Sequence, residues 1–195
     1  MKLGVICDGI SRDLSHALTV MDEFGLDYAE LQFVWDKEVG DHDASEIAQI
    51  KELLDTHNKP VSCLSRHIFA GLTTASKAGD KDHTRHMDYL KCVIEMAHQL
   101  NCPLVRIMTS KKEQILWGTN GAEHWNVAKG AWDTLPPLIA PAVDLARKEG
   151  ITLVVETGNG TMVNSNYTAV KLIDVLDAKD AVSYTHLTLP TMRTV

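Results

Sequence analysis

Five short apolar runs alternate with stretches of helical periodicity along most of the chain. Each run is four to eight residues long, and most are rich in β-branched or aromatic side chains, as strands are. Strands that are apolar throughout and separated by helices are typical of parallel sheets with covered faces, so the pattern predicts an α/β fold. The runs are Leu3 to Cys7, Tyr28 to Trp35, Val61 to Leu64, Leu104 to Met108 and Ile151 to Val155.

The stretches between the runs carry apolar residues at the spacing of amphipathic helices. Predicted helical positions fall at 14–24, 47–54, 87–100 and 167–176. A less regular segment at 117–149 contains Pro136, Pro137 and Pro141, and we expect these prolines to break or restart any helix there. Residues typical of helix ends flank the predicted helices. Ser165 and Asp43 are predicted N-caps, and Glu46 lies at capping-box distance from Asp43. The predicted C-terminal stops are Gly25, Asn58, Asn101 and Gly150.

Two architectures fit parallel strands with covering helices: a doubly wound open sheet and a (β/α)8 TIM barrel. Five units over residues 2–180 average roughly 36 residues each, so eight would need about 285, a normal barrel length. No G-x-G-x-x-G follows the first run, which disfavours a dinucleotide-binding open sheet. The sequence therefore predicts, over residues 1–180, a TIM barrel truncated to about five βα units.

Residues 181–195 break the pattern. The ten residues from Val182 to Thr191 show neither strand nor helical spacing. They can be encoded by GTC TCT TAT ACA CAT CTG ACG CTG CCG ACG, which resembles a transposase-type sequencing adapter. We therefore expect a natural gene interrupted near codon 180 and a non-native artefact tail at 181–195. We also expect the fragment to aggregate, because its first and fifth strands would expose their edges.

The charge balance and the apolar content disfavour two classes of partner. The 195 residues include 19 Lys and Arg against 26 Asp and Glu. The resulting net charge of −7 disfavours sequence-independent binding to nucleic acid phosphates. No stretch approaches the ~18 apolar residues of a membrane span, and the first run is too short for a signal peptide. The cysteines have neither zinc nor disulfide spacing, so we expect reduced thiols and a cytoplasmic protein.

In a parallel barrel, reactive groups lie at the carboxyl ends of strands and in the loops that follow. Glu156 ends the most apolar run, where a carboxylate must face a cation, a metal ion or the wet barrel mouth. Glu30 interrupts the second run and is either a buried partner of Arg106 or a substrate contact. Arg106 needs an acidic partner or an anionic ligand. His67, just past the third run, either binds a ligand or is simply solvated.

Other polar and aromatic residues are weaker candidates. Trp35 and Phe69 could wall a sugar site, although aromatic residues near strand ends are often core residues. Asn159 lies in the loop after Glu156 and is a candidate binding residue. Polar surroundings predict a solvated surface position for four further residues, His83, His86, Glu123 and His124.

Motifs in five consecutive runs together resemble a known family, the sugar phosphate isomerase/epimerase group of xylose isomerase-like TIM barrels. The resemblance covers residues 1–180, and the order and spacing of its motifs are more specific than any single motif. The motifs are Ile-Cys-Asp at 6–8, Tyr-Ala-Glu-Leu-Gln at 28–32, Leu-Ser-Arg-His at 64–67, Leu-Val-Arg-Ile-Met at 104–108 and Leu-Val-Val-Glu-Thr-Gly-Asn at 153–159.

The resemblance implies proton transfer next to a carbonyl through an enediolate. In the family a divalent metal at the barrel mouth has four protein ligands, and one of them, a Glu after the fifth strand, has a counterpart here in Glu156. Glu156 would be both metal ligand and acid/base, with Mn²⁺ or Mg²⁺, or alternatively Zn²⁺ or Co²⁺, as the metal. A small-molecule sugar or sugar phosphate would be bound by Glu30, His67, Arg106, Trp35 and Asn159.

The remaining family ligands fall beyond residue 180, so we expect this fragment to be inactive, with a homo-oligomer as one option for the intact protein. Two other functions stay open. One is an endonuclease IV-like metal-dependent hydrolase of the same superfamily, against which the acidic charge argues. The other is a non-catalytic sugar-binding α/β domain on an open sheet. The natural sequence after codon 180 would discriminate between a barrel and an open sheet.

Overall fold

A computed structural model describes residues 2–111, 121–158, 160–178 and 182–184, with only the backbone of 121–129, 131 and 182–184. Within these residues, six parallel strands form one sheet, in which their spatial order follows their order along the chain. The predicted α/β fold with parallel strands is therefore confirmed. The strands of this sheet are β1 (Gly4–Ile6), β2 (Tyr28–Leu31), β5 (Val61–Ser65), β6 (Leu104–Ile107), β7 (Thr152–Glu156) and β8 (Val182–Tyr184), and the short strands β3 (Phe33–Val34) and β4 (Lys37–Glu38) form a separate hairpin.

Helices connect the parallel strands, and most of their predicted ends are confirmed. Asp43 and Ser165 cap their helices through capping boxes. The chain turns at the four predicted stops with positive φ, between 51° and 67°. The helices are α1 (Leu14–Glu23), α2 (Ala44–Thr56), α3 (Lys81–Gln99), α4 (Gly121–Glu149) and α5 (Asn166–Val175).

The second apolar run forms less strand than its composition predicts. β2 ends at Leu31, and the chain then makes the β3–β4 hairpin around Trp35 and Asp36. Trp35 adopts φ 54°, an unusual backbone conformation for a bulky residue. Its N–H donates to the carbonyl of Arg12 at 2.6 Å and its side chain packs against the core, which compensates for the strain. The hairpin places Glu38 beside the loop after β5.

Two further expectations need correction. The segment from Val182 pairs in parallel with β7, in register Val154 to Val182, although its composition predicts no strand. The fifth strand is therefore paired on both sides. Helix α4 continues through its three internal prolines instead of breaking. Each internal proline costs about 3 kcal/mol, and the six buried apolar residues of this helix offset that cost: Leu135, Leu138, Ile139, Ala142, Val143 and Ala146.

The apolar core lies between the strands and the helices. Along β6, Val105 and Ile107 belong to this core, and strict alternation places Arg106 on the opposite face of the sheet. β5 alternates in the same way, because Ser65 is paired in register with Arg106. One face of the sheet is thus apolar and covered by helices, whereas the other carries the polar side chains described below.

Gly40, just after β4, has φ +90° and lies against α3. A Cβ there would meet Val93 Cγ2 at 2.8 Å and Arg66 Nη1 at 3.1 Å. We expect Gly40→Ala to lower the free energy of unfolding by about 2 kcal/mol more than Gly71→Ala, since overpacking adds to the backbone strain. Gly71 is the matched control, with φ +85° and nothing within 4 Å of its added Cβ. Urea unfolding measures both, and equal losses would contradict the proposed close packing.

Candidate functional site

A buried carboxylate and a hydroxyl meet at the carboxyl ends of β2 and β5. Glu30 is 5% exposed, and its Oε1 accepts a hydrogen bond from Ser65 Oγ at 2.5 Å. Burial raises the pKa of the neighbouring thiols of Cys7 and Cys63 to about 12, and the charge of Glu30 adds to both shifts. These thiols are therefore protonated and unreactive at neutral pH.

An ion pair lies at the ends of the next two strands. Arg106 of β6 is 2% exposed, and its Nη1 lies 2.8 Å from Oε2 of Glu156, the last residue of β7. The Glu156 side chain is 18% exposed, so the carboxylate reaches the edge of the buried region. Arg106 thus has an acidic partner in Glu156.

Strand register brings these two pairs to one place. Ser65 is the partner of Arg106 across β5 and β6, and Arg106 is the partner of Val154, two residues before Glu156 on the same face of β7. Four polar side chains therefore lie side by side at the carboxyl ends of four adjacent strands: Glu30, Ser65, Arg106 and Glu156. This is the edge of a parallel sheet where α/β proteins bind ligands.

His67 belongs to a second polar network at the same edge. Its Nδ1 lies 2.7 Å from Glu38 Oε1, which also accepts from the backbone N–H of His67 at 3.0 Å. Its Nε2 lies 3.3 Å from Nε2 of Gln32. The imidazole remains 46% exposed. His67 is thus bound to protein groups and open to solvent at once.

Arg66 fixes this network to the fold. Its guanidinium forms a bidentate pair with Asp41 at 2.7 and 3.0 Å and lies 4.2 Å from the centre of the Tyr89 ring. Its Nε lies 3.5 Å from Glu38 Oε2. Burial raises the pKa of Glu38, but the hydrogen bonds from His67 and the charge of Arg66 together hold that pKa below its usual range. Glu38 is therefore an anion at neutral pH.

Glu38 is the residue of this site that sequence reasoning missed. It follows Lys37 in a polar stretch that is typical of a solvated loop. The signal that points to it is Asp36, a turn-forming residue directly after the second run, which is compatible with a hairpin folding back there.

The remaining candidates have different outcomes. Trp35 lies in the turn of the β3–β4 hairpin with its ring 6.0 Å from that of His42. Phe69 is 1% exposed and is a core residue. Asn159 as a whole and the side chains of Glu123 and His124 lie outside the described residues.

The prediction that His83 and His86 are solvated is wrong. They are 3% and 7% exposed and flank Phe69, with ring centroids at 5.7 and 5.9 Å. His83 Nε2 lies 2.8 Å from the carbonyl of Leu138, and His86 Nδ1 accepts from the N–H of Phe69. Burial lowers the pKa of His86. These imidazoles satisfy backbone groups between α3, α4 and the loop after β5.

The family model described as xylose isomerase-like TIM barrel matches residues 18–186. The chain belongs to this family. The family match thus confirms the predicted TIM barrel class, and the described strands and helices are consistent with a truncated barrel. No curated protein matches the chain.

Solved structures show the same fold at low sequence identity. D-allulose 3-epimerase from Methylomonas sp., in complex with D-allulose, has a TM-score of 0.65 and 14% identity, over 95% of this chain and 62% of the epimerase. The IOLI protein with a bound zinc atom has a TM-score of 0.64 and 18% identity, over 93% of this chain and 61% of that one. AP endonuclease family 2 from Brucella melitensis has a TM-score of 0.59 and 16% identity, over 91% of this chain and 65% of the endonuclease.

This chain spans less than two thirds of each of these proteins. At such identities these proteins share the fold with this chain. None of the helices in the described part of the chain is long and apolar enough to cross a membrane.

We expect Arg106→Met to lower the free energy of unfolding by about 2 kcal/mol, because it removes the buried guanidinium that pairs with the Glu156 carboxylate. The double variant Arg106→Met/Glu156→Leu should regain part of that loss. Lys51→Met is the control, since it removes an exposed pair with Asp55 and should cost less than about 0.5 kcal/mol. Chemical unfolding measures all three, and an Arg106 variant as mild as the control would contradict the role of the pair.

Proposed function

We propose that the intact protein is an isomerase or epimerase that moves a proton at a carbon next to the carbonyl of a small sugar or sugar phosphate. The observation that carries this proposal is the Arg106–Glu156 pair at the carboxyl ends of two strands. A carboxylate at such an edge is placed to act as an acid/base, and a neighbouring guanidinium orients it and attracts an electron-rich oxygen.

The reaction would need a base that removes the proton and a carbonyl oxygen that takes up the resulting negative charge. A Glu156 oxygen would take the proton from the substrate carbon, and the C–H electron pair would form the enediolate as the carbonyl oxygen gains charge. Return of a proton to the former carbonyl carbon, with transfer of the hydroxyl proton to the former carbonyl oxygen, would give an isomer. An epimer requires a proton on the opposite face of the same carbon, and a second acid, the other glutamate that the family resemblance implies, would deliver it. Arg106 would hold Glu156 in place and bind an oxygen of the sugar. The other residues proposed to bind the sugar are Glu30, His67, Trp35 and Asn159.

The family resemblance implies a divalent metal, and one solved structure of similar fold contains zinc. In the described part of the chain no group of three His, Cys, Asp or Glu side chains lies close enough to hold a metal ion. The described residues therefore do not complete a metal site, and no step above depends on one. Glu156 stays proposed as one carboxylate ligand of a site for Mn²⁺ or Mg²⁺, with Zn²⁺ or Co²⁺ as alternatives.

A nuclease is the second candidate, because one solved structure of similar fold is an AP endonuclease. The net charge of −7 argues against it, since binding to DNA phosphates depends on Lys and Arg. Salt-sensitive retardation of duplex DNA would favour the nuclease over the sugar enzyme. The third candidate is a non-catalytic sugar-binding domain, which would bind sugar without turnover.

The free thiols support a cytoplasmic location, because all four cysteines are unpaired and three of them are buried. Homo-oligomerisation of the intact protein stays a proposal.

In the intact protein we expect Glu156→Gln to lower kcat by about 1,000-fold, because an amide cannot take up the proton. The matched control is Glu52→Gln on the exposed face of α2, which should leave kcat unchanged. The assay follows exchange of the substrate proton with deuterated water over a panel of ketoses and their phosphates. Full activity of the Glu156 variant would overturn the assignment.

We also propose that residues 181–195 derive from a sequencing adapter. Amplification of the gene from independent genomic DNA should give different codons after 180, continuing with a strand followed by Trp-Asp and later a His-Ile-His strand. The 195-residue chain should then show no isomerase activity. The same ten adapter-like codons in the independent amplification, or metal-dependent turnover by this chain, would contradict the proposal.

A further inference from the structure

The two nitrogen atoms of the His67 ring contact partners of opposite hydrogen-bonding character. Glu38 is a carboxylate and accepts only, so Nδ1 at 2.7 Å must carry the proton of that bond. The amide nitrogen of Gln32 donates only, so Nε2 at 3.3 Å accepts when the ring is neutral. Both contacts therefore select one tautomer of neutral His67, with the proton on Nδ1.

Glu38 is held firmly enough to enforce this choice. Its side chain is 18% exposed, against 46% for that of His67. The same Oε1 that binds Nδ1 also accepts from the backbone N–H of His67 at 3.0 Å, and Arg66 Nε lies 3.5 Å from Oε2. Arg66 is itself fixed by Asp41 and Tyr89. The carboxylate thus has a fixed orientation, and the ring it orients projects towards solvent.

We propose that Glu38 is a positioning residue that fixes His67 in the Nδ1–H tautomer, so that Nε2 of His67 and the amide of Gln32 form a hydrogen-bonding arm for the hydroxyl groups of a sugar. This inference rests on the proposed function for the identity of the ligand. A sugar hydroxyl would donate to Nε2 in place of Gln32, and the Gln32 amide would then contact the same sugar through its own donor and acceptor.

A purely structural role for Glu38 makes a different prediction. The bond from the backbone N–H of His67 would hold the β3–β4 hairpin against the loop after β5 whatever the tautomer of the ring. Isolated imidazole side chains favour the proton on Nε2, so the tautomer of His67 separates the two roles. Stability alone does not, because both roles predict its loss on truncation of Glu38.

The first experiment measures the tautomer directly in the 195-residue chain. Long-range ¹H–¹⁵N spectra of histidine-labelled protein distinguish protonated from unprotonated ring nitrogens, and His67→Asn identifies the His67 signals. We expect an unprotonated Nε2 in the unmodified chain, a shift of the proton to Nε2 in Glu38→Ala, and rescue by Glu38→Gln, whose carbonyl oxygen still accepts from Nδ1–H.

Asp41→Asn is the matched control, because it removes the other carboxylate of Arg66 and leaves the contact between Glu38 and Nδ1 in place. It should leave the tautomer unchanged. A proton on Nε2 in the unmodified chain, or the same tautomer in Glu38→Ala, would overturn the inference.

The second experiment tests the arm with D-allulose and D-fructose as probes. We expect both sugars to shift the His67 Nε2 signal, with about tenfold weaker binding in Glu38→Ala and recovery in Glu38→Gln. If neither sugar shifts the His67 Nε2 signal, the proposal that His67 and Gln32 bind sugar hydroxyl groups is overturned. Sugar binding with the expected tautomer, but no proton exchange in the intact protein, overturns the proposed function and leaves the arm standing.

Discussion

A guanidinium enclosed by a parallel sheet is the constraint on which the site depends. Arg106 is 2% exposed, and an unpaired ion at such a position costs several kcal/mol. Glu156 lies at the right distance only because β6 and β7 pair with Arg106 opposite Val154. A slip of one residue would turn Glu156 to the opposite face, so the ion pair and the strand register stabilise each other.

Local signals made the framework predictable. Continuous apolar runs fixed the parallel strands, and capping residues and left-handed stops fixed the helix ends, because both depend on neighbours in sequence. Tertiary packing overrode two local rules. Helix α4 continues through its three prolines because a buried apolar face offsets the lost hydrogen bonds. Trp35 has a positive φ because it lies in a hairpin, which the apolar composition of the second run does not predict.

The candidate site was predictable where an ionisable residue interrupts or ends an apolar strand, as at Glu30, Arg106 and Glu156. Such positions force a partner or a ligand, and the sequence alone shows them. His83 and His86 were misjudged because their burial depends on Phe69 and on the carbonyl of Leu138, which lie far away in sequence. Glu38 was missed for the same reason, since its partners come from a different strand and loop.

The two polar networks differ in what holds them. Arg106 and Glu156 lie on paired strands, where backbone hydrogen bonds on both sides fix their positions. His67 lies in a loop and takes its orientation from a two-stranded hairpin that Gly40 and Arg66 fasten to α3. Catalytic groups that need sub-ångström placement are held most precisely on paired strands. Groups that recognise hydroxyls need less precision and can be placed by the hairpin. Under the proposed function, changes in the hairpin should therefore alter which sugar binds before they alter proton transfer.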